Sequence, residues 1–191
     1  NSIAQKLNND AVKLEAAALH GWQNGAGEEA ILLIVKAAAV NNTDGLLLAN
    51  AGAMLDLYGL SEKAVPILRT VVAHTPQNAI ALNNLGQSFT ALGMQDSALH
   101  YFSRCLSLSP QHPEANTTAG YIELQKGNEL KAQQYFENSL TGSFNIAAYK
   151  GLKSILKNKC RIKDIIKQKV KYPEYFNQFK YKLPRQCLNV D

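Results

Sequence analysis

The sequence predicts an all-α protein, built as a right-handed superhelical solenoid of helix–turn–helix units with a C-terminal capping helix pair. Three observations carry that prediction. Residue types recur every 34 residues from Gly45 to Ile146 without insertion. The composition is rich in Ala, Leu, Asn and Gln and poor in strand-length β-branched runs. Glycine and proline stand at fixed offsets within the units, where turns are expected.

The chain has 191 residues, of which 46% are hydrophobic. That is enough to bury a core and excludes a mostly disordered chain. The longest apolar run, Ala30 to Val40, is interrupted by Lys36 and is too short for a membrane span. The net charge of +5 hides an asymmetry. Residues 1–144 carry 8 Lys+Arg against 12 Asp+Glu, whereas residues 145–191 carry 12 against 3. The two parts therefore face different solvent or different partners. The chain starts at Asn1 without an initiator methionine or a basic-then-apolar leader, and reads as a piece of something larger.

Taken in order, Ile3, Leu7, Val12, Leu14, Ala18 and Leu19 fall near one helical face, and Gly21 to Gly27 breaks it. A second helix is expected from Glu28 to about Val40, with acidic residues in its first turn where they suit the helix dipole. Asn41 to Gly45 is turn chemistry. Three units follow, 45–78, 79–112 and 113–146. Ala51, Leu85 and Ala119 precede Gly52, Gly86 and Gly120, small residues that let two helices approach. Gly59, Gly93 and Gly127 mark the inter-helix turn, where a positive φ ends the first helix. Ala64, Ala98 and Ala132 follow, and then Leu68, Phe102 and Phe136, large residues that fill the space between units. Pro76 and Pro110 close the first two units, with Phe144 in the third. Leu48 and Leu82 match each other, but Asn116 breaks their column.

This pattern resembles the tetratricopeptide repeat, a 34-residue helix–turn–helix unit, and 79–112 matches it best. Extending the frame back gives Leu14, Ala17, Ala18, Gly25, Ala30, Ile34 and Ala37, so the chain reads as one domain opening on a degenerate repeat within 1–44. Repeats over 45–146 come next, and 147–191 supplies basic capping helices and an aromatic tail. In that tail Ala147–Lys157 and Arg161–Lys171 read as the lysine-rich capping pair. Pro173 ends it, and Tyr172, Tyr175, Phe176, Phe179 and Tyr181 form an aromatic turn expected to pack back.

No catalytic constellation emerges. His20, His74, His100 and His112 lack a carboxylate or second histidine at ligand spacing, and no Gly-rich loop follows a strand. No cofactor and no metal are expected. Cys105 lies on an apolar helix face, where a thiol acts as a small hydrophobe. Cys160 and Cys187 pair only if the tail folds back, which would point to an oxidising compartment. With Asn41-Asn42-Thr43 and Asn116-Thr117-Thr118 matching the glycosylation pattern, the reading leans extracytoplasmic.

The expected function is a non-catalytic scaffold that binds a peptide segment or partner helix in a concave groove. The resemblance places Asn50, Asn84 and Thr118 on that groove, flanked by Ala49, Asn83 and Thr117, with Ala53, Gln87 and Tyr121 one turn later. In peptide-clamping members, asparagine in the Asn50/Asn84 column bonds the ligand's backbone amides. The candidate binding residues are thus Asn50, Asn83, Asn84, Gln87, Thr117 and Tyr121. A clamp for a C-terminal carboxylate needs Lys or Arg in these columns, and none stands there. Self-assembly, a regulatory arm of a larger protein, and anionic-surface binding through the basic tail are the alternatives. No nucleic acid is expected, because the tail's aromatics have helical spacing suited to packing.

Overall fold

The computed structural model describes residues 9–156, and the elements there are all helices. They are α1 Ala11–Gln23, α2 Gly27–Val40, α3 Gly45–Leu57, α4 Ser61–His74, α5 Ala79–Ala91, α6 Gln95–Leu108, α7 Pro113–Gln125, α8 Glu129–Gly142 and α9 Ile146–Ile155. The first helices of the four pairs start at residues 11, 45, 79 and 113, and the second helices at 27, 61, 95 and 129. The 34-residue period therefore holds without a slip, and it includes the first pair, where the sequence pattern is weakest. By Cα packing the chain divides into two compact units, Asn1–Tyr101 and Phe102–Asp191. The expected Arg161–Lys171 helix, the aromatic turn, the lysines from Lys157 onward, the Cys160–Cys187 pair, and Ile3 and Leu7 lie outside the described residues.

Each first helix opens on a side-chain cap. Asp10 accepts from Val12 N and Lys13 N, Asp44 from Leu46 N and Leu47 N, Asn78 from Ala81 N and His112 from Ala115 N. These caps stand 34 residues apart, and each satisfies helix N–H groups that would otherwise lack partners. The hydrogen bond from the Lys13 N–H holds the Asp10 carboxyl below its ordinary value. Each first helix ends two residues before a glycine with φ between 73° and 83°, at Gly25, Gly59, Gly93 and Gly127. A side chain at that φ is strained, so the turn selects glycine.

In the first unit α1 packs on α2, α3 on α4, and α3 and α4 both meet α5. Leu14, Ala18, Ala30, Ile34, Ala51, Ala64, Leu68, Leu82 and Leu85 are fully buried. A Cβ added at Gly52 would lie 2.6 Å from Leu68 Cγ, so the glycine is what lets α3 and α4 close on each other. Pro66 sits inside α4 on its exposed side, where the lost backbone bond leaves a carbonyl to water rather than to the core.

In the second unit α7 packs on α8, and α9 covers both. Phe136 is fully buried there beside Ala132, Leu140, Ala148 and Leu152. A Cβ on Gly120 would come within 2.6 Å of its ring, and Gly151 of α9 meets the same ring. Phe136 thus fills space both within its pair and against the next helix. Asn116 takes the position that leucine holds in the other pairs and is fully buried. Its amide donates to Pro110 O at 2.9 Å and His112 O at 3.0 Å, tying the loop to α7, while its Oδ1 has no hydrogen-bond partner. The glycosylation pattern at Asn116 is consequently closed in the folded chain. Asn41 sits at the end of α2, where Thr43 Oγ1 donates to its side chain at 3.2 Å.

Candidate interaction face of the first helices

The polar columns of the first helices are built by the same period that builds the core. Within α5, Asn83, Asn84 and Gln87 come together. Gln87 Nε2 reaches Asn83 Oδ1 at 3.5 Å, and Asn83 Nδ2 donates to Asn84 Oδ1 at 3.3 Å. Asn84 Nδ2 in turn donates to the Ala49 carbonyl of α3, also at 3.3 Å. Asn50 repeats the arrangement one unit earlier, its Nδ2 donating to Glu15 Oε1 of α1 at 3.0 Å. Both of these bonds join residues 35 apart in sequence. The asparagine column therefore stitches α3 to α1 and α5 to α3, and its side chains arrive at the surface already oriented.

Burial sorts the predicted residues. Asn50, Asn84, Gln87 and Tyr121 are half-buried, whereas Asn83 is 5% exposed and Thr117 8% exposed. Thr117 Oγ1 donates to Pro113 O at 2.7 Å and shares a hydrogen bond with Ser139 Oγ at 2.9 Å, holding α7 to α8. Tyr121 OH donates to Ala147 O of α9 at 2.8 Å, and its ring packs on Phe136 with centroids 5.0 Å apart. In the second unit, then, both predicted residues bond inward. Glu15 is the residue that sequence reasoning passed over. The signal was present in the frame itself, because residue 15 is the Ala49/Asn83/Thr117 column carried back by 34.

Elsewhere the chemistry-bearing side chains serve local structure. His112 caps α7, His74 Nδ1 lies 2.8 Å from Thr70 O, His20 meets Asn24, and His100 stands edge-on to Tyr101. Among the described residues no three His, Cys, Asp or Glu side chains are grouped to hold a metal. Burial, with Glu114 nearby, pushes the Cys105 thiol up to about 11, which leaves it a poor nucleophile. Burial also raises the Tyr135 phenol, helped by the Glu123 carboxylate. No described helix is long and apolar enough to cross a membrane.

A sequence profile of the tetratricopeptide repeat matches residues 79–112. No curated protein matches by sequence. Several solved structures match in three dimensions. MamA (residues 41 to the end) from Desulfovibrio magneticus RS-1 is 19% identical, covering 73% of this chain and 78% of that one at a TM-score of 0.64. YrrB, described as a TPR protein with an unusual peptide-binding site, is 22% identical, with 78% of each chain covered and a TM-score of 0.65. TTC0263, a thermophilic TPR protein of Thermus thermophilus, is 18% identical over 88% of this chain and 91% of its own, at a TM-score of 0.69. At these identities the likeness concerns the fold: an α-solenoid of tetratricopeptide helix pairs.

Proposed function

Because this chain is a tetratricopeptide-repeat protein, we propose that it is a non-catalytic scaffold whose first-helix face holds an extended segment of a partner protein. The repeat fold and its solved counterparts support a protein–protein interaction scaffold. YrrB, similar in fold, is described as having a peptide-binding site, which supports a peptide as the kind of ligand to look for here. The observation that carries the reading is the amide chain from Gln87 through Asn83 to Asn84, anchored on Ala49 O. An amide side chain has two donors and two acceptor lone pairs. At Asn84 the Ala49 bond uses one donor and the Asn83 bond one lone pair, so a donor and an acceptor remain to match the C=O and N–H of a peptide unit. Because Asn84 is already held, less side-chain entropy is lost when a ligand arrives.

The test uses peptides selected on the full-length chain from a random-sequence display library. Changing Asn84 and Gln87 to alanine together is expected to weaken capture by about tenfold or more, at ~1 kcal/mol for each hydrogen bond lost. Helical circular dichroism should be unchanged. Undiminished capture by the double variant would remove this face as the binding site.

A further inference from the structure

In the first unit, the edge where first helices turn into second helices carries uncovered apolar side chains. Leu57 is 73% exposed, Met94 49% and Tyr58 41%. Carboxylates line the same edge. Glu28, Glu62 and Asp96 are the second residues of α2, α4 and α6, with Glu29 beside the first, and all four are exposed. Lys63 adds a basic side chain next to Glu62. Helix dipoles account for acidic residues at these positions. They do not account for the leucine, methionine and tyrosine that stand exposed at the same turns, and apolar side chains rimmed by charge in this way fit an interaction site.

At one point the edge is concave. Gly25, Ala26, Gly27, Glu28, Glu29 and Tyr58 line a cleft, and Trp22 stands against Tyr58 with centroids 6.4 Å apart and planes at 63°. A Cβ on Gly27 would lie 3.0 Å from Tyr58 Cε2, so glycine is what lets the tyrosine ring rest on the start of α2. Two aromatic rings set at an angle beside two carboxylates favour a cationic side chain, through the ring quadrupoles and through Coulomb attraction.

The chain itself supplies a segment of matching chemistry. Residues 157–191 carry ten Lys+Arg against three Asp+Glu, interleaved with Ile162, Ile165, Ile166, Tyr175 and Phe176. We propose that this edge of one copy receives the basic C-terminal segment of a second copy, a lysine or arginine of that segment entering beside Trp22 and Tyr58. Opposite charge steers the encounter and sets the register, while the apolar side chains on both partners supply the buried area.

The test is sedimentation and light scattering of the full-length chain across concentration. The wild type is expected to associate at about 50 mM salt and to weaken about tenfold at about 500 mM, as screened surface charges require. The variant E28K/E29K/E62K is expected to be monomeric, and so is K163E/K167E/K169E. Mixed, the two variants are expected to associate again, because the unaltered basic segment of the first meets the unaltered acidic edge of the second. Circular dichroism checks that each variant is folded. A wild type that stays monomeric at low salt, association that survives the glutamate reversals, or a folded variant pair that fails to associate would overturn the proposal.

Discussion

Asp10, Asp44 and Asn78 stand 34 residues apart, and each gives a side-chain oxygen to the first N–H groups of a helix. Asp44→Ala is expected to cost ~1 kcal/mol, read as a lower urea midpoint, with Asp44→Asn recovering most of it. Cys105 shows the opposite use of a polar group, since burial keeps it neutral. Its thiol rises from 9.0 to about 11, so its contribution to stability is complete below about pH 9 and is lost as pH climbs through the folded value. Iodoacetamide near neutral pH should spare Cys105 in the folded chain and label it in urea, with peptide mass mapping to separate it from the other cysteines. Equal labelling in both states would contradict the burial argument.

Between helices, the decisive contacts are those at Gly52 and Gly120. In a helix interior, replacing glycine by alanine ordinarily gains ~1 kcal/mol. Here the new Cβ would meet Leu68 Cγ or the Phe136 ring at 2.6 Å, and neither group can swing away from its fully buried site. Gly52→Ala and Gly120→Ala are therefore expected to destabilise by ~1–3 kcal/mol each, reversing the usual sign. Combining Gly52→Ala with Leu68→Ala should cost less than the sum of the two, because the second change removes what the first collides with. Denaturant unfolding of the single and double variants measures this directly.

At the scale of the whole molecule, the interaction face is a matter of repetition. Asn50 and Asn84 occupy equivalent positions one repeat apart, each held by a bond to the preceding first helix. An extended peptide crossing both would be weakened about fivefold by either alanine change, and by roughly the product of the two in the double variant, because well-separated sites add in free energy. Calorimetric titration with a selected peptide reads those three affinities, and a peptide sensitive to one asparagine alone would confine the contact to a single repeat.

The helix positions, the four-pair period and the buried columns were legible in the sequence because they depend on local chemistry: apolar spacing, glycine where φ is positive, small residues where helices meet. Even the degenerate first pair was readable from Leu14, Gly25, Ala30 and Ile34, and the helices found there keep the same frame. What the sequence left open was how the polar columns are used. Asn83, Asn84 and Gln87 looked equally available, yet Asn83 is buried as the link between the other two. Thr117 and Tyr121 turn to Ser139 and Ala147, and Asn50 turns to Glu15. Those partners lie 22 to 35 residues away in the chain. Local residue types determine that a helix forms and which side it buries. Only the packing of one helix on another determines which hydrogen-bonding groups are used within the protein and which remain for a partner.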